Sequence, residues 1–235
     1  MSSSAQLTLL PWLLGWDETP DRTTFAAALH AGSCAGIAWA LRDEVRQLRT
    51  SEIALLAATS APAAVAGYLA QDAVEQRLGG RGQLAALLAG AGVLLWLADR
   101  RPATESVTTR AAASAALAQV VALAPGVSRS GATLTALRLM KVDRAEAERF
   151  TLLMSLPITA GAAVLTLLRA DPGDLRRVRG PLAAGMPLAA ATAALSTAGQ
   201  RRRGGVPVGL SALYRLGLAV AVPVAVVVRR KREQR

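Results

Sequence analysis

Residues 124–133, APGVSRSGAT, combine the residue types that proteins use to bind phosphate groups. The nearest charged residues on either side of Arg129 are Arg110 and Arg138, so no acidic side chain lies close enough in sequence for a local ion pair. A planar guanidinium beside hydroxyls and glycine-broken backbone at a helix start suits a multiply charged oxyanion, and phosphate or diphosphate fits best. The residues predicted to form this anion site are Gly126, Ser128, Arg129, Ser130, Gly131 and Thr133.

Long uncharged windows surround this segment. Crossing the hydrocarbon core of a membrane takes about 20 apolar residues in a helix, and most of the windows approach that length. A soluble helical bundle would need a charged face along each helix, and these windows have none. The sequence therefore predicts an all-α integral membrane protein. The windows are 23–41, 53–71, 82–98, 111–128, 150–168, 180–200 and 204–228, the last interrupted only by Arg215.

The net charge and the small number of histidine and cysteine residues exclude some classes of function. The formal net charge is +11, but aromatic residues make up only 3% of the chain and the basic residues lie between apolar windows. This pattern is typical of loop anchors at a membrane surface and argues against a nucleic-acid partner. The single cysteine, Cys34, excludes an internal disulfide. His30 precedes it by one helical turn, and without a third nearby ligand, packing is a better interpretation than a metal site.

Two apolar stretches are too short to span, which predicts a particular architecture. We expect about six spanning helices together with a re-entrant helical hairpin over residues 111–139, broken at a Pro-Gly pair, and a short arm over 2–14. Such broken backbone is tolerated in a membrane only where protein buries it or where it lines a wet cavity. The expected spans are about 24–41, 53–70, 83–98, 150–168, 181–198 and 208–228.

The two short stretches resemble each other and predict an inverted repeat. Residues 2–5, SSSA, match 128–131, SRSG, and an apolar arm, an Asp-Arg pair and three spanning helices follow each of them. Because three is odd, the second copy must sit upside down relative to the first, and inverted repeats place broken helices together near the midplane. We therefore predict one transmembrane domain, 1–235, made of a first repeat, 1–110, and an inverted second repeat, 111–235.

Several polar residues inside the predicted membrane region have open alternatives. Arg129 either grips an anion or is a structural arginine bonded to helix-end carbonyls, and the hydroxyls around it favour the anion. Arg215 is either a second phosphate clamp or a donor to carbonyls of the broken helices, and the second alternative is favoured. Gln119 either lines the cavity or joins helices. In the facing repeat, one of three consecutive serines becomes a candidate nucleophile toward the bound phosphorus.

The chain resembles the undecaprenyl-diphosphate phosphatase family of bacteria, also called bacitracin-resistance proteins. The resemblance rests on ALAQVVALAPGVSRSGATLTALRLMKVDRAEAERFTLLMSLP, on LYRLGLAV near the end and on SSSAQLTLLPWLLGW at the start. It implies hydrolysis of undecaprenyl diphosphate to the monophosphate, which recycles the carrier for cell-wall synthesis. It further implies two re-entrant hairpins with six spanning helices in the bacterial plasma membrane, a homodimer, and dependence on a divalent cation, Mg²⁺ or Ca²⁺.

The resemblance also assigns roles to residues matched by motif. Ser128, Arg129, Ser130 and Thr133 would bind the diphosphate, and Ser3 would be the nucleophile, with Ser2 and Ser4 beside it. Gln6 stands where the family has a histidine, and a glutamine cannot exchange a proton near neutral pH.

The family's first signature also has a pair of glutamates ahead of the serines. Here the printed sequence begins at the serines, with Met1 where the family has valine. A valine GTG codon can act as a start, so we expect about 25 further residues upstream, roughly one helix and its lead-in. Translation of the preceding DNA tests this. Without those carboxylates the cation lacks its natural ligands.

Two other functions stay open at this point. The inverted repeat alone favours a transporter or flippase of a lipid phosphate. A catalytically inactive relative that only binds the lipid carrier is the other alternative, since the acid–base and metal half of the family signature is missing. Release of inorganic phosphate separates the phosphatase from both.

Overall fold

The computed structural model describes residues 3–16, 22–202, 204–205 and 207–233, and within them the chain is helical, without strands. The helices begin and end where uncharged windows meet charged or glycine- and proline-containing segments, as the sequence predicts. Their bounds are α1 Ser3–Leu14, α2 Arg22–Ala40, α3 Arg42–Gln47, α4 Thr50–Leu78, α5 Arg81–Asp99, α6 Thr109–Val121, α7 Arg129–Leu139, α8 Arg144–Arg169, α9 Pro172–Arg202 and α10 Val208–Glu233.

Five of these helices, α4, α5, α8, α9 and α10, are long and apolar enough to cross a membrane. They coincide with five of the six predicted spans. The sixth predicted span forms α2, a helix of 19 residues, which falls outside that group of five. Leucines such as Leu69, Leu168 and Leu195 lie exposed on the outside of the bundle, as expected where lipid rather than water surrounds a protein. The chain is an all-α, multi-pass membrane protein.

The predicted hairpin is confirmed as a helix, a break and a second helix. With 13 residues in α6 and 11 in α7, neither helix reaches the roughly 30 Å of a hydrocarbon core at about 1.5 Å per residue. The break contains Gly126, whose φ is 100°. A side chain at this position would lie 2.7 Å from the carbonyl oxygen of Leu84 on α5, so the tip of the hairpin presses directly against that helix.

The C-terminal end of α7, its outer end, is held by one buried arginine. The Nε of Arg138 lies 3.3 Å from Oδ1 of Asp99, at the end of α5. Its Nη1 donates to the carbonyl of Val142 at 2.7 Å, and its Nη2 donates to the carbonyls of Asp99 and Arg101. Arg144, which begins α8, pairs with the other oxygen of Asp99 at 3.2 Å. This network fixes α7 relative to α5 and α8.

Helix α2 packs closely against α9 through two glycines spaced one turn apart. A side chain on Gly32 would lie 2.6 Å from the carbonyl oxygen of Met186, and one on Gly36 would overlap the carbonyl oxygen of Ala190. Small residues at this spacing let two helix backbones approach each other. A different face of α2 is turned toward α8, where the thiol of Cys34 donates to the carbonyl of Leu156 at 3.6 Å.

The short helix α1 packs against α5 and α10. Ala5 and Leu9 are fully buried in a cluster with Leu84 and Leu88 of α5 and Leu218 of α10. The turn of α5 at residues 84–88 therefore contacts α1 and also receives the hairpin tip at Gly126.

The predicted inversion of the two repeats stays a prediction.

Candidate functional site

The N-terminus of α7 is capped by a residue in an unusual backbone conformation. Ser128 has a φ of 70°, which non-glycine residues seldom adopt and which the surrounding structure must hold in place. Its hydroxyl accepts a hydrogen bond from the backbone N–H of Gly131 at 3.4 Å, and the side chain is buried. A capped helix start concentrates partial positive charge. This end of α7 therefore suits an anion.

Arg129 is the first residue of α7 and is half-buried. Its Nη2 donates a hydrogen bond to the hydroxyl of Thr159 on α8, at 2.8 Å. None of the ion pairs formed between described residues includes Arg129. The observed hydrogen bond goes to a hydroxyl and not to a helix-end carbonyl, which favours the anion-binding alternative for this residue.

Arg215 of α10 brings a second guanidinium to the first turn of α7, beside Gly131. Its terminal nitrogens lie about 3 Å from the position that a side chain on Gly131 would occupy, where the Ser128 hydroxyl also lies within 3.3 Å. Gly92 of α5 makes room for the stem of this arginine, since a side chain there would contact Cδ at 3.1 Å. Two small residues, on α5 and α7, thus leave the space that the arginine fills.

The buried Arg215 side chain is not satisfied by hydrogen bonds. It is 2% exposed, and neither Nε nor Nη1 has a partner among the described residues. Bonding to helix carbonyls, the alternative that the sequence favoured for this residue, is not observed at these two nitrogens. An unpaired buried guanidinium requires an anionic partner or a cost in stability.

The first turn of α1 contacts the helix that carries this second arginine. The side-chain amide of Gln6 donates to the hydroxyl of Tyr214 on α10 at 3.2 Å. The facing of the two short helices stays a prediction. Ser2 lies outside the described residues, and the description of Ser3 and Ser4 is limited to their backbone in α1. The roles of these serines and of Gln6 stay predictions.

The remaining hydroxyls of the motif differ in environment. Ser130 is exposed, whereas Thr133 is buried and donates its hydroxyl proton to the carbonyl of Arg129 at 3.0 Å. That bond supports the first turn of α7 and leaves only the oxygen lone pairs of Thr133 for other contacts. Their predicted contacts with phosphate stay predictions.

Three residues beside Arg129 are absent from the sequence-based site. Thr159 accepts a hydrogen bond from Arg129, and the positive charge of Arg129 acts on both His30 and Cys34 of α2. The sequence favoured packing for the His-Cys pair, and the described residues contain no group of three or more potential metal ligands. The sequence feature that could have indicated His30 is the position of this single histidine inside an apolar window.

Gln119 resolves to one of its two alternatives. It is buried, and its amide donates to the carbonyl of Thr59 at 3.3 Å. It therefore joins α6 to α4 and holds the first arm of the hairpin.

The described residues do not fit a divalent cation at this site. Mg²⁺ and Ca²⁺ bind through several oxygen ligands, carboxylates above all, and no cluster of suitable residues is found in the described ranges. Several carboxylates are instead tied into ion pairs, as for Asp99, Glu148 and Glu44. Cation dependence stays a prediction of the family resemblance and enters no step below.

Comparison with known proteins gives one family match and several named relatives. The family model described as "Bacitracin resistance protein BacA" matches residues 1–202. A protein of Geobacter sulfurreducens named undecaprenyl-diphosphatase is 39% identical over 224 residues, which cover 84% of this chain and 81% of the relative. Proteins of the same name from Pelobacter propionicus and Gemmatimonas aurantiaca are 38% identical over 220 residues and 37% identical over 187 residues; their alignments cover 84% and 71% of this chain and 80% and 69% of those relatives.

Proposed function

This chain belongs to the bacitracin resistance protein BacA family, and on that premise we propose that it hydrolyses undecaprenyl diphosphate to undecaprenyl phosphate and orthophosphate. The relatives at 37–39% identity carry the name of that activity. The reaction returns the lipid carrier to cell-wall synthesis and confers resistance to bacitracin. We place it in the bacterial plasma membrane, with the enzyme as a homodimer, as the resemblance implies.

One observation carries the assignment to a diphosphate. Arg129 is the first residue of α7, Arg215 packs against Gly131 in the same helical turn, and two nitrogens of Arg215 are buried without a partner among the described residues. A diphosphate is a compact, multiply charged anion, so it can contact both guanidiniums and the exposed N–H groups of the first helical turn. Its polyprenyl chain would stay among the apolar helices in the lipid.

The arrangement suggests how hydrolysis proceeds. An oxygen nucleophile, either Ser3 or a water molecule, attacks the terminal phosphorus in line with the bridging oxygen. Negative charge grows on the bridging oxygen as the bond to phosphorus breaks. Donors that are already fixed in a water-poor site stabilise such charge strongly because little reorganisation is needed. Arg129, fixed by Thr159, and Arg215, fixed between glycines, are the donors that we assign to this task.

Release of phosphate from undecaprenyl diphosphate in detergent micelles tests the proposal. We expect Arg129→Ala to lower kcat/KM at least about a hundredfold, which corresponds to roughly 3 kcal/mol for one desolvated contact to the transition state. The matched control is Arg46→Ala, since the side chain of Arg46 is 76% exposed on α3; this variant should match the wild type. Equal rates for the two variants would remove Arg129 from the site. Transport of the lipid without phosphate release would favour the flippase alternative.

A further inference from the structure

Helix α2 presents two distinct faces, and the second of them leads to the anion site. Phe25, Leu29, Gly32 and Gly36 lie along the face that contacts α9. His30 and Cys34, one turn apart, lie on another face, where the thiol of Cys34 donates to the carbonyl of Leu156 on α8. The histidine is therefore not part of the tight α2–α9 contact.

The turn of α8 that follows Leu156 connects this face of α2 to Arg129. Thr159, three residues after Leu156, accepts the hydrogen bond from the Arg129 guanidinium at 2.8 Å. The charge of Arg129 acts on both His30 and Cys34. His30 is half-buried, neither sealed in the core nor open to the surroundings. Contacts between α2 and α8 thus turn the helix face that carries the single imidazole of the chain toward the turn of α8 that bonds to Arg129.

Hydrolysis needs a group that takes a proton from the nucleophile. Gln6, at the position matched to a histidine in the family, cannot serve because an amide does not titrate near neutral pH. We propose that His30 is the general base of this chain and replaces the proton-accepting function that Gln6 lacks. The inference rests on the proposed phosphatase function and adds a catalytic residue to it.

Hydrolysis begins with attack of a hydroxyl on the terminal phosphorus. The attacking hydroxyl, of Ser3 or of water, forms a bond to the terminal phosphorus and passes its proton to neutral His30. The bond between that phosphorus and the bridging oxygen breaks, and the electron pair stays on undecaprenyl phosphate. If water attacks directly, the imidazolium afterwards releases its proton to solvent. If Ser3 attacks, the imidazolium first releases its proton to solvent, and a water molecule then attacks the phosphoserine phosphorus and passes its proton to His30. The bond between phosphorus and the Ser3 oxygen breaks, the imidazolium returns that proton to the Ser3 oxygen, and orthophosphate leaves.

Few ionisable groups surround His30, so its titration should be visible in the rate. Arg129 approaches from α7, and Cys34 lies on the same helix. The segment of α8 that packs against this region, 154–161, has no ionisable residue, and neither does the facing segment of α9, 182–190. A general base must be neutral when it accepts the proton.

The pH dependence of phosphate release tests this role. In the wild type, kcat should fall with decreasing pH once the imidazole becomes protonated, because it can then no longer accept a proton. His30→Gln should lower kcat at least about a hundredfold, the usual range for losing a general base, and should remove that acidic limb. Inorganic pyrophosphate should still raise the melting temperature of this variant, because both arginines remain. Arg129→Ala should lose that stabilisation as well.

The outcomes separate the two proposals. Cys34→Ala, on the same face of α2, is the matched control and should keep both the rate and the acidic limb. If the wild type releases no phosphate, the proposed function fails. If the wild type is active and His30→Gln keeps its rate and its acidic limb, the role of His30 fails while the function stands.

A second measurement covers the case in which His30→Gln does not fold. Because the chain has a single histidine, a histidine-directed reagent such as diethylpyrocarbonate, used on protein with a histidine-free tag, modifies one known site. It should abolish phosphate release from the folded wild type, and inorganic pyrophosphate should slow the inactivation. Full activity after complete modification of His30 would overturn the inference.

Discussion

Two buried arginines lie at opposite ends of α7, and their surroundings differ. Arg138, at the outer end, is 5% exposed, pairs with Asp99 and donates to main-chain carbonyls. Arg215, packed against the inner end at Gly131, is 2% exposed and has no partner at Nε or Nη1 among the described residues. Burial is similar at the two ends, but only the outer one has its charge compensated by the fold.

The difference indicates what each end is for. A buried charge with its partners in place is part of the structure, and removing one partner is strongly destabilising. A buried charge without partners lowers stability, and proteins retain such groups where a ligand or a reaction uses them. On this argument the outer end of α7 is a structural anchor and the inner end is kept ready for an anion. Four experiments can sharpen or break the comparison.

The largest effect is expected at the outer end. Arg138→Met should lower the free energy of unfolding by about 3–5 kcal/mol, because Asp99 keeps only Arg144 as a charged partner and buried carbonyls lose their donor. Chemical unfolding in detergent measures it. Arg110→Met, at an exposed position at the start of α6, is the control. Unchanged stability of the Arg138 variant would remove the anchor from the comparison.

At the inner end the same substitution should act on activity and not on stability. We expect Arg215→Met to lower kcat/KM by about a hundredfold, roughly 3 kcal/mol of transition-state stabilisation. The melting temperature should be equal to or higher than that of the wild type, since an unpaired buried charge has been replaced by an apolar side chain of similar length. A large loss of stability would instead make Arg215 a second structural arginine.

A smaller effect is expected from the residue that holds Arg129. Thr159→Val keeps the shape of the side chain but removes the hydroxyl that accepts from Nη2. A hydrogen bond to a charged group contributes about 1.5–3 kcal/mol, so kcat/KM should fall about tenfold or somewhat more, with little change in melting temperature. Thr151→Val, on the same helix and buried without a hydrogen-bond partner for its hydroxyl, should leave the rate unchanged. Equal losses for both variants would contradict a specific role for Thr159.

The smallest effect concerns ligand occupancy at the inner end. Cys34 is the only cysteine and is partly exposed, so a thiol reagent reports on this region alone. Inorganic pyrophosphate should slow labelling of Cys34 a few-fold by occupying the neighbouring anion site. The Arg129→Ala variant should label at one rate with and without pyrophosphate. No protection in the wild type would mean that the anion binds elsewhere.

Much of the fold follows from local sequence. Uncharged windows predict the spanning segments because lipid excludes charge, and the Pro-Gly pair at residues 125–126 predicts the break in the hairpin. The observed helix bounds differ from the predicted ones where a helix continues past its apolar window. Helix α8 begins at Arg144 because Asp143 caps it by accepting from the N–H groups of Ala145 and Glu146. Helix α9 begins at Pro172, well before the predicted start at 181, since proline suits a first helical position.

The candidate site likewise has one part that the sequence predicts and another part that it does not. The motif at residues 124–133 identified Arg129 from its neighbours alone, because the absence of a nearby acid can be read along the chain. Arg215, Thr159 and His30 lie tens of residues away from it. A charge or an imidazole inside an apolar window marks Arg215 and His30 as unusual, but the sequence does not show which residues they contact. Their meeting depends on how each helix is rotated and how deeply it is inserted.

The sequence by itself determined that this chain is a bundle of membrane helices and predicted that one arginine binds phosphate, since hydropathy, helix breaks and local charge are properties of consecutive residues. Only the tertiary structure decided which distant side chains lie near the start of α7. It packed Arg215 against Gly92 and Gly131, joined Thr159 to Arg129, and turned the face of α2 that carries His30 and Cys34 toward α8.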